Sequence, residues 1–221
     1  MQPIAHIKTE FSSKFGIPRQ AGLVDGLRAA IVFEPAYRDP EALRGLDGFS
    51  HLWLIWEFSQ SKRAQWSPTV RPPRLGGNAR LGVFATRSPF RPNPIGLSCV
   101  ELKQIALSTP DGPVLYVSGA DLMDGTPIFD IKPYVPYADC HPEAVGGFAS
   151  QPPERLAVNI PPHLLERVPE AKQAALTGVL ALDPRPSYQN DPDRVYGFGF
   201  AGLDVRFSVA NGTLTVLDII V

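Results

Sequence analysis

The chain has 221 residues, is 44% hydrophobic and 19% charged, and carries 21 basic against 22 acidic residues for a formal net charge of −1. That composition describes a globular chain and excludes a disordered one, and the lack of any run of about 18 apolar residues excludes a membrane-spanning helix. The length is enough for one large domain or two small ones.

The opening residues Met1–His6 lack a charged-then-apolar leader, which predicts a cytoplasmic protein. Pro3–Thr9 alternates as a first strand, and Phe15–Gly22 is a loop by its Gly and Pro content, presenting Arg19 and Gln20 between breakers. Leu27–Phe33 reads as a second strand. Pro40 at the start and Gly45 at the end bound one or two helical turns. Ser50–Phe58 is an aromatic, β-favouring run, predicted as a strand buried on both faces. Trp53 and Trp56 are assigned to the core, and His51 is read as a core or strand-end histidine.

A basic segment follows. From residue 58 to 100 there are seven Lys and Arg (Lys62, Arg63, Arg71, Arg74, Arg80, Arg87, Arg91) and no Asp or Glu. The rest of the chain then holds 14 basic against 22 acidic residues, a net of −8. Charge this segregated points to an anionic partner, with phosphate the leading candidate. A solvated basic loop is the plain alternative. The prolines and glycines between the arginines argue against it, because they fix the backbone that carries the charges.

Leu97–Leu107 alternates as a long strand, Asp111-Gly112 is a turn, and Val114–Ser118 is the partner strand of a hairpin. Asp121, Asp124 and Gly125 then form an acidic turn that feeds a strand from Ile128 to Tyr134. No long helix is predicted in this part, so it reads as all-β, and closure into a barrel would hide the strand edges. Residues 139–160 are rich in Pro, Gly and Ser and read as a linker. Beyond it, 161–168 and 169–182 carry helical spacing, as two helices or one broken by Pro169. Asp183–Tyr188 is a rigid loop, and apolar alternation on both sides of Asn211-Gly212 is a hairpin. The predicted fold is mainly β: a single-sheet barrel over 1–140, a linker over 141–160 and a small α+β domain over 161–221.

Gly197-Phe-Gly-Phe-Ala-Gly202 matches GxGxxG, but that motif binds dinucleotides only between a strand and a helix, and a hairpin follows here. Gly76-Gly77 lacks the GK[ST] of a P-loop, no Gly-x-Ser-x-Gly elbow is present, and metal-ligand spacing is absent. Cys99 and Cys140 stand in no CxxC spacing and read as free buried thiols of a reducing compartment, with a disulfide between them as the second reading. Three features remain: the basic segment, the acidic turn and the Pro18-Arg19-Gln20 loop.

Long strings carry these features: Ile17–Gln20, Phe49–Trp53, Pro68–Arg80, Gly82–Arg87, Arg91–Gly96, Asp121–Pro127, Asp130–Tyr134 and Asp183–Tyr188. Together they resemble the TrmO (TsaA-like) family of tRNA N6-methyltransferases, bacterial type with a C-terminal domain, over nearly the whole chain. The resemblance implies a homodimeric β-barrel enzyme that uses S-adenosylmethionine without a Rossmann domain. It would methylate the exocyclic nitrogen of threonylcarbamoyl-adenosine beside the anticodon of tRNA. It further implies cofactor contacts from Pro18, Arg19, Gln20, Ser59, Gln60, Arg87, Leu97 and the turn Asp121, Leu122, Met123 and Asp124. No metal or membrane partner is implied.

Chemistry then distributes roles among these residues. A cationic cofactor head prefers Asp121 or Asp124, and its carboxylate prefers Arg87. Asp124 is the candidate acceptor of the proton lost by the methylated nitrogen, and Arg91 and Lys132 are candidates for the substrate's own carboxylate. Arg71, Arg74 and Arg80 would neutralise RNA phosphates, and Arg185 and Tyr188 would touch tRNA from the C-terminal domain. Tyr134 and Tyr137, taken to lie near the acidic turn, are candidates for stacking on a base. Two other readings stay open: a non-catalytic RNA-binding β-barrel, and a methyltransferase acting on a small molecule.

Overall fold

The computed structural model describes residues 1–61, 65–76, 78–186, 189 and 191–221. Period-two alternation builds its first half. Ala5–Lys8 (β1) and Arg28–Phe33 (β2) pair antiparallel, and both turn alternate residues inward: Ala5 and Ile7, then Ala29, Ile31 and Phe33. His51–Glu57 (β3) does the same with Leu52, Leu54 and Trp56. The expected burial of β3 on both faces is therefore not observed. Trp53 and Ile55 lie on its outer face and are only half-buried.

The basic segment folds into short pieces rather than a helix: Thr69–Val70 (β4) pairs with Leu81–Gly82 (β5), with single 3-10 turns at Pro73–Leu75 and Val83–Ala85. Then come Ile95–Ala106 (β6), Val114–Ser118 (β7) and Thr126–Pro133 (β8). The strands close in the order β1-β2-β7-β6-β3-β8, with β8 returning to β1. Closure leaves no edge, and the inward side chains, among them the fully buried Ile7, Ile31, Leu52, Leu54, Leu115 and Ile128, fill the lumen. Each such side chain contributes about 1.5–3 kcal/mol relative to exposure.

All neighbours in the barrel are antiparallel. The connections 9–27, 58–94 and 119–125 therefore all emerge from one end. Residues 34–50, 107–113 and Tyr134 onward lie at the other. Tyr134 and Tyr137 are thus at the opposite end of β8 from the acidic turn, about 25 Å away along an eight-residue strand. Their proximity to it in sequence does not survive folding. His51 is a strand-end residue whose Nδ1 lies 2.9 Å from Ser50 Oγ. Both cysteines are free, but Cys140 is exposed and Cys99 only half-buried, so neither is the sequestered thiol expected.

The stretch read as a linker is preceded by a single helical turn, Pro136–Asp139 (α1), whose Asp139 accepts from Trp53 Nε1 at 3.1 Å. It ends in a strand, Ala157–Asn159 (β9). That strand is too short to show alternation, and it forms because it adds parallel to the last strand of the chain. Pro162–Leu165 (α2) and Glu170–Ala181 (α3) are separate helices, divided at Pro169. Tyr196–Phe200 (β10), Leu203–Ala210 (β11) and Thr213–Ile220 (β12) complete a four-stranded sheet in the order β10-β11-β12-β9. The GxGxxG string is β10 and its turn into β11, where Ala201 and Gly202 take φ of 55° and 82°. No helix N-terminus follows. Among the described residues no helix is long and apolar enough to cross a membrane.

The two halves share a core. Phe11, Val24 and Leu27, from the connection between β1 and β2, are buried among Leu176, Val179, Phe200 and Phe207 of the C-terminal half. Phe11 meets Phe200 edge-on with ring centroids 5.7 Å apart. The loop carrying Pro18, Arg19 and Gln20 is therefore packed on the C-terminal domain while it spans the mouth of the barrel.

Candidate functional site

Inward position 98 of β6 holds a serine among apolar neighbours, opposite Leu54 of β3. Ser98 is 2% exposed. Its Oγ accepts from Trp56 Nε1 at 2.9 Å and its hydroxyl donates to Asp121 Oδ1 at 2.5 Å. Trp56 can lie across the barrel end because position 96 is glycine: a Cβ there would stand 2.3 Å from the indole. Phe58 braces the indole edge-on at 4.3 Å. Together these residues fix a carboxylate at the barrel mouth.

Asp121 is the group whose ionisation is most distinctive here. Burial pushes its carboxyl above the ordinary value, and hydrogen bonds from Ser98, its own amide and the Ala21 amide, together with the Arg87 charge, only partly oppose that. A carboxylate made uncomfortable in this way, beside donors that hold it in place, is suited to receiving a cation. Arg87 is near enough for its charge to act on Asp121 and donates from Nη1 to Gln20 Oε1, while Gln20 Nε2 donates to the Arg19 carbonyl at 2.5 Å. The approach of the Arg19–Gly22 loop depends on two glycines. Gly22 N donates to Gly119 O at 2.9 Å, and a Cβ on Gly119 (φ 79°) would meet the Gly22 backbone at 3.2 Å.

Folding therefore brings the Gln20–Arg87 pair and Asp121 together at one mouth, linked through the Ala21 amide and the Arg87 charge, with Arg19 exposed beside them and Pro18 buried beneath the loop. Ser59 and Gln60 lie in a 3-10 turn tied to the same loop, because Lys14 Nζ donates to Gln60 O at 2.5 Å and to Ser61 Oγ at 3.0 Å. Leu97 is next to Ser98 but on the outer wall, 51% exposed. Leu122 is 1% exposed inside the barrel core, so it can offer a ligand only its backbone. Met123 is half-buried in the turn.

Other expected residues are placed elsewhere. Asp124 accepts from the Thr9 amide at 2.9 Å, its own amide donates to Phe11 O at 2.8 Å, and Thr9 Oγ1 donates to Leu122 O at 3.1 Å. It anchors the chain leaving β1 through Oδ1 and remains exposed. Arg91 donates to the Val83 and Thr86 carbonyls at 3.1 and 2.6 Å, satisfying the end of the Val83–Ala85 turn. Lys132 points outward because Phe129 is an extra residue in the β8–β3 register. It pairs with Asp130 at 3.0 Å, away from the Asp121 face.

Arg71 is exposed, Arg74 donates to Gln151 O, and Arg80 donates to Thr69 Oγ1 at 3.1 Å. Arg185 is gripped by Asp183 through Nε–Oδ1 and Nη2–Oδ2 contacts of 2.8 Å, which raise its already high affinity for the proton. It lines a cleft with Phe15, Arg194 and Tyr196. Tyr188 lies outside the described residues. Among those residues no group of three or more His, Cys, Asp or Glu is gathered.

Sequence reasoning passed over Ser98, Trp56 and Lys14. A signal existed for the first, since a serine in an inward slot between Gly96 and Val100 is a polar group in need of a partner. None existed for Lys14, whose role comes from a turn far along the chain.

Comparison with known proteins gives a consistent result. Residues 6–140 match the family model of the tRNA-methyltransferase O N-terminal domain, and residues 153–221 match the TrmO C-terminal domain. A tRNA (adenine(37)-N6)-methyltransferase of Escherichia coli strain K12 is 42% identical over 224 residues, covering 97% of this chain and 95% of that protein. A Pyrococcus abyssi protein named as a probable S-adenosyl-L-methionine-binding protein is 36% identical over 138 residues, 62% of this chain and 69% of its own. The solved structure described as the crystal structure of TrmO superposes with a TM-score of 0.79 at 37% identity, covering 99% of this chain and 97% of that one.

Proposed function

This chain belongs to the tRNA-methyltransferase O family, as an S-adenosylmethionine-dependent tRNA (adenine(37)-N6)-methyltransferase, and we propose that the adenosine it methylates already carries the threonylcarbamoyl group. The observation that supports this site is a half-buried carboxylate, Asp121, within the electrostatic reach of a guanidinium, Arg87, at the mouth of a closed barrel. An amino-acid cofactor head carries one ammonium and one carboxylate, so the donor set fits it: Asp121 would take the ammonium and Arg87 the carboxylate. S-Adenosylmethionine supplies a methyl group made electrophilic by a sulfonium.

The chain's own residues have positioning as their task. The Ser98–Trp56 pair keeps the Asp121 carboxylate in one orientation, and the glycine contact keeps Gln20 against Arg87. The accepting nitrogen is part of a urea-like linkage and a weak nucleophile, and its proton leaves in or after the transition state. Asp124, held by Thr9, is not assigned that proton. With Arg91 and Lys132 engaged elsewhere, exposed Arg19 is the cation best placed for the substrate's threonyl carboxylate. Arg71, Arg74 and Arg80 would meet phosphates, which predicts binding that weakens steeply with salt. A homodimer and a cytoplasmic location belong to the same proposal.

The test is incubation with methyl-labelled S-adenosylmethionine and tRNA from cells lacking this gene, followed by nucleoside mass spectrometry. Label is expected in the N6-methylated threonylcarbamoyl nucleoside alone. Label in unmodified adenosine overturns the substrate assignment, and label only in a low-molecular-weight fraction favours the small-molecule reading. Binding of tRNA with no label anywhere favours the non-catalytic one.

A further inference from the structure

The basic segment carries two large apolar side chains that folding leaves in water. Phe84 is 73% exposed and Trp66 is 51% exposed. Their rings are layered, with centroids 6.2 Å apart and planes 29° from parallel. They are not loosely held. Phe84 sits in the Val83–Ala85 turn, and the Arg91 guanidinium lies 5.8 Å from its ring centroid while bonding to Val83 O and Thr86 O on either side. Val83 N donates to Pro68 O at 2.9 Å, which ties the chain just after Trp66 to the start of that turn. Arg80 bonds to Thr69 on the same two-stranded ribbon, and Arg71 follows it directly.

Exposed rings held rigidly among arginines, in a stretch without a single acid, have the two parts that single-stranded nucleic acid requires. The rings offer a face for a base, and the arginines offer charge for its phosphates. We propose that Trp66 and Phe84 form a stacking platform for one unpaired base of the RNA substrate, with Arg71 and Arg80 on the flanking phosphates. The proposal rests on the tRNA reading above and adds to it a base contact outside the reaction site. A second copy of the chain is a poorer occupant. A two-fold contact would press this face against itself and bring arginines together with no carboxylate between them.

The experiment measures Kd for labelled tRNA by fluorescence anisotropy at several salt concentrations, with wild type, Trp66→Ala, Trp66→Phe, Trp66→Leu and Phe84→Ala. Trp66→Ala is expected to raise Kd by about 5- to 150-fold, the range found for loss of one base–aromatic stack. Trp66→Phe recovers most of the affinity and Trp66→Leu does not, because a base needs a π face rather than apolar area. The salt slope stays that of wild type, since a ring displaces no counterions. The thermal shift given by S-adenosylmethionine also stays, which shows that the variants fold. Equal Kd values for wild type and Trp66→Ala overturn the proposal. So does a Trp66→Ala change confined to the sedimentation coefficient, which would mark a self-association face. Failure of the wild type itself to bind tRNA would instead overturn the tRNA reading.

Discussion

Asp121 and Asp124 show how little a residue type says before its surroundings are known. Both stand in one short acidic turn, and both were candidates for the same chemistry. Burial and the Ser98 hydroxyl make Asp121 a poised carboxylate, while the Thr9 amide makes Asp124 a structural anchor. Asp121 titrates above its ordinary value of 3.8, so the native state holds that proton longer than the unfolded chain does. The stability it contributes is full below 3.8 and is lost as pH rises through the raised value. Asp121→Asn should therefore melt higher than wild type above that window, without cofactor, and show no further shift when S-adenosylmethionine is added. Thermal denaturation across pH, with and without cofactor, checks both parts. Asp124→Asn should do the reverse. It loses about 1 kcal/mol of stability from a largely solvated hydrogen bond and leaves the pH profile of kcat unchanged. A profile that loses its acidic limb would restore Asp124 as a proton acceptor. The sequence could show that carboxylates gather here. It could not show which one is half-buried and held by Ser98, because that serine lies in another strand.

At the scale of elements, the strand pattern was readable because it is local. Alternation in Leu27–Phe33 and Leu97–Leu107 and the Asn211-Gly212 turn each predicted what formed, while β4, β5, β9 and β10 were missed. The directions in which outer side chains point were less readable. One extra residue, Phe129, reverses the side on which Lys132 emerges, and composition gives no notice of such a shift. Glycine at 96 is another element-level device, giving Trp56 the space to cap the barrel and to hold Ser98. Gly96→Ala would drive a methyl into the indole. It should cost about 1–3 kcal/mol in chemical denaturation. It should also weaken the cofactor-induced thermal shift, since Ser98 would lose its donor. An alanine variant with unchanged stability and an unchanged shift would show that the indole is free to move and that its placement is incidental.

For the whole molecule, the main result is that the barrel and the C-terminal half are not independent. Phe11, Val24 and Leu27 lie in the first 27 residues yet complete a core made by the last 60 or so, a partnership between distant segments that no local pattern encodes. The loop between them carries Arg19 and Gln20, so the C-terminal domain positions part of the proposed cofactor site. Phe11→Ala should cost about 3–5 kcal/mol. If the core is shared, barrel and C-terminal signals should fall together in one denaturation transition, and separate transitions would argue against it. The proposed cofactor site stands on Gln20, Arg87 and Asp121 at the barrel mouth. The most direct test is the thermal shift produced by saturating S-adenosylmethionine in wild type and in Arg87→Ala. A clear rise in Tm for wild type that is absent in a folded Arg87→Ala is the predicted result. No rise in wild type, or the same rise in both, would contradict it.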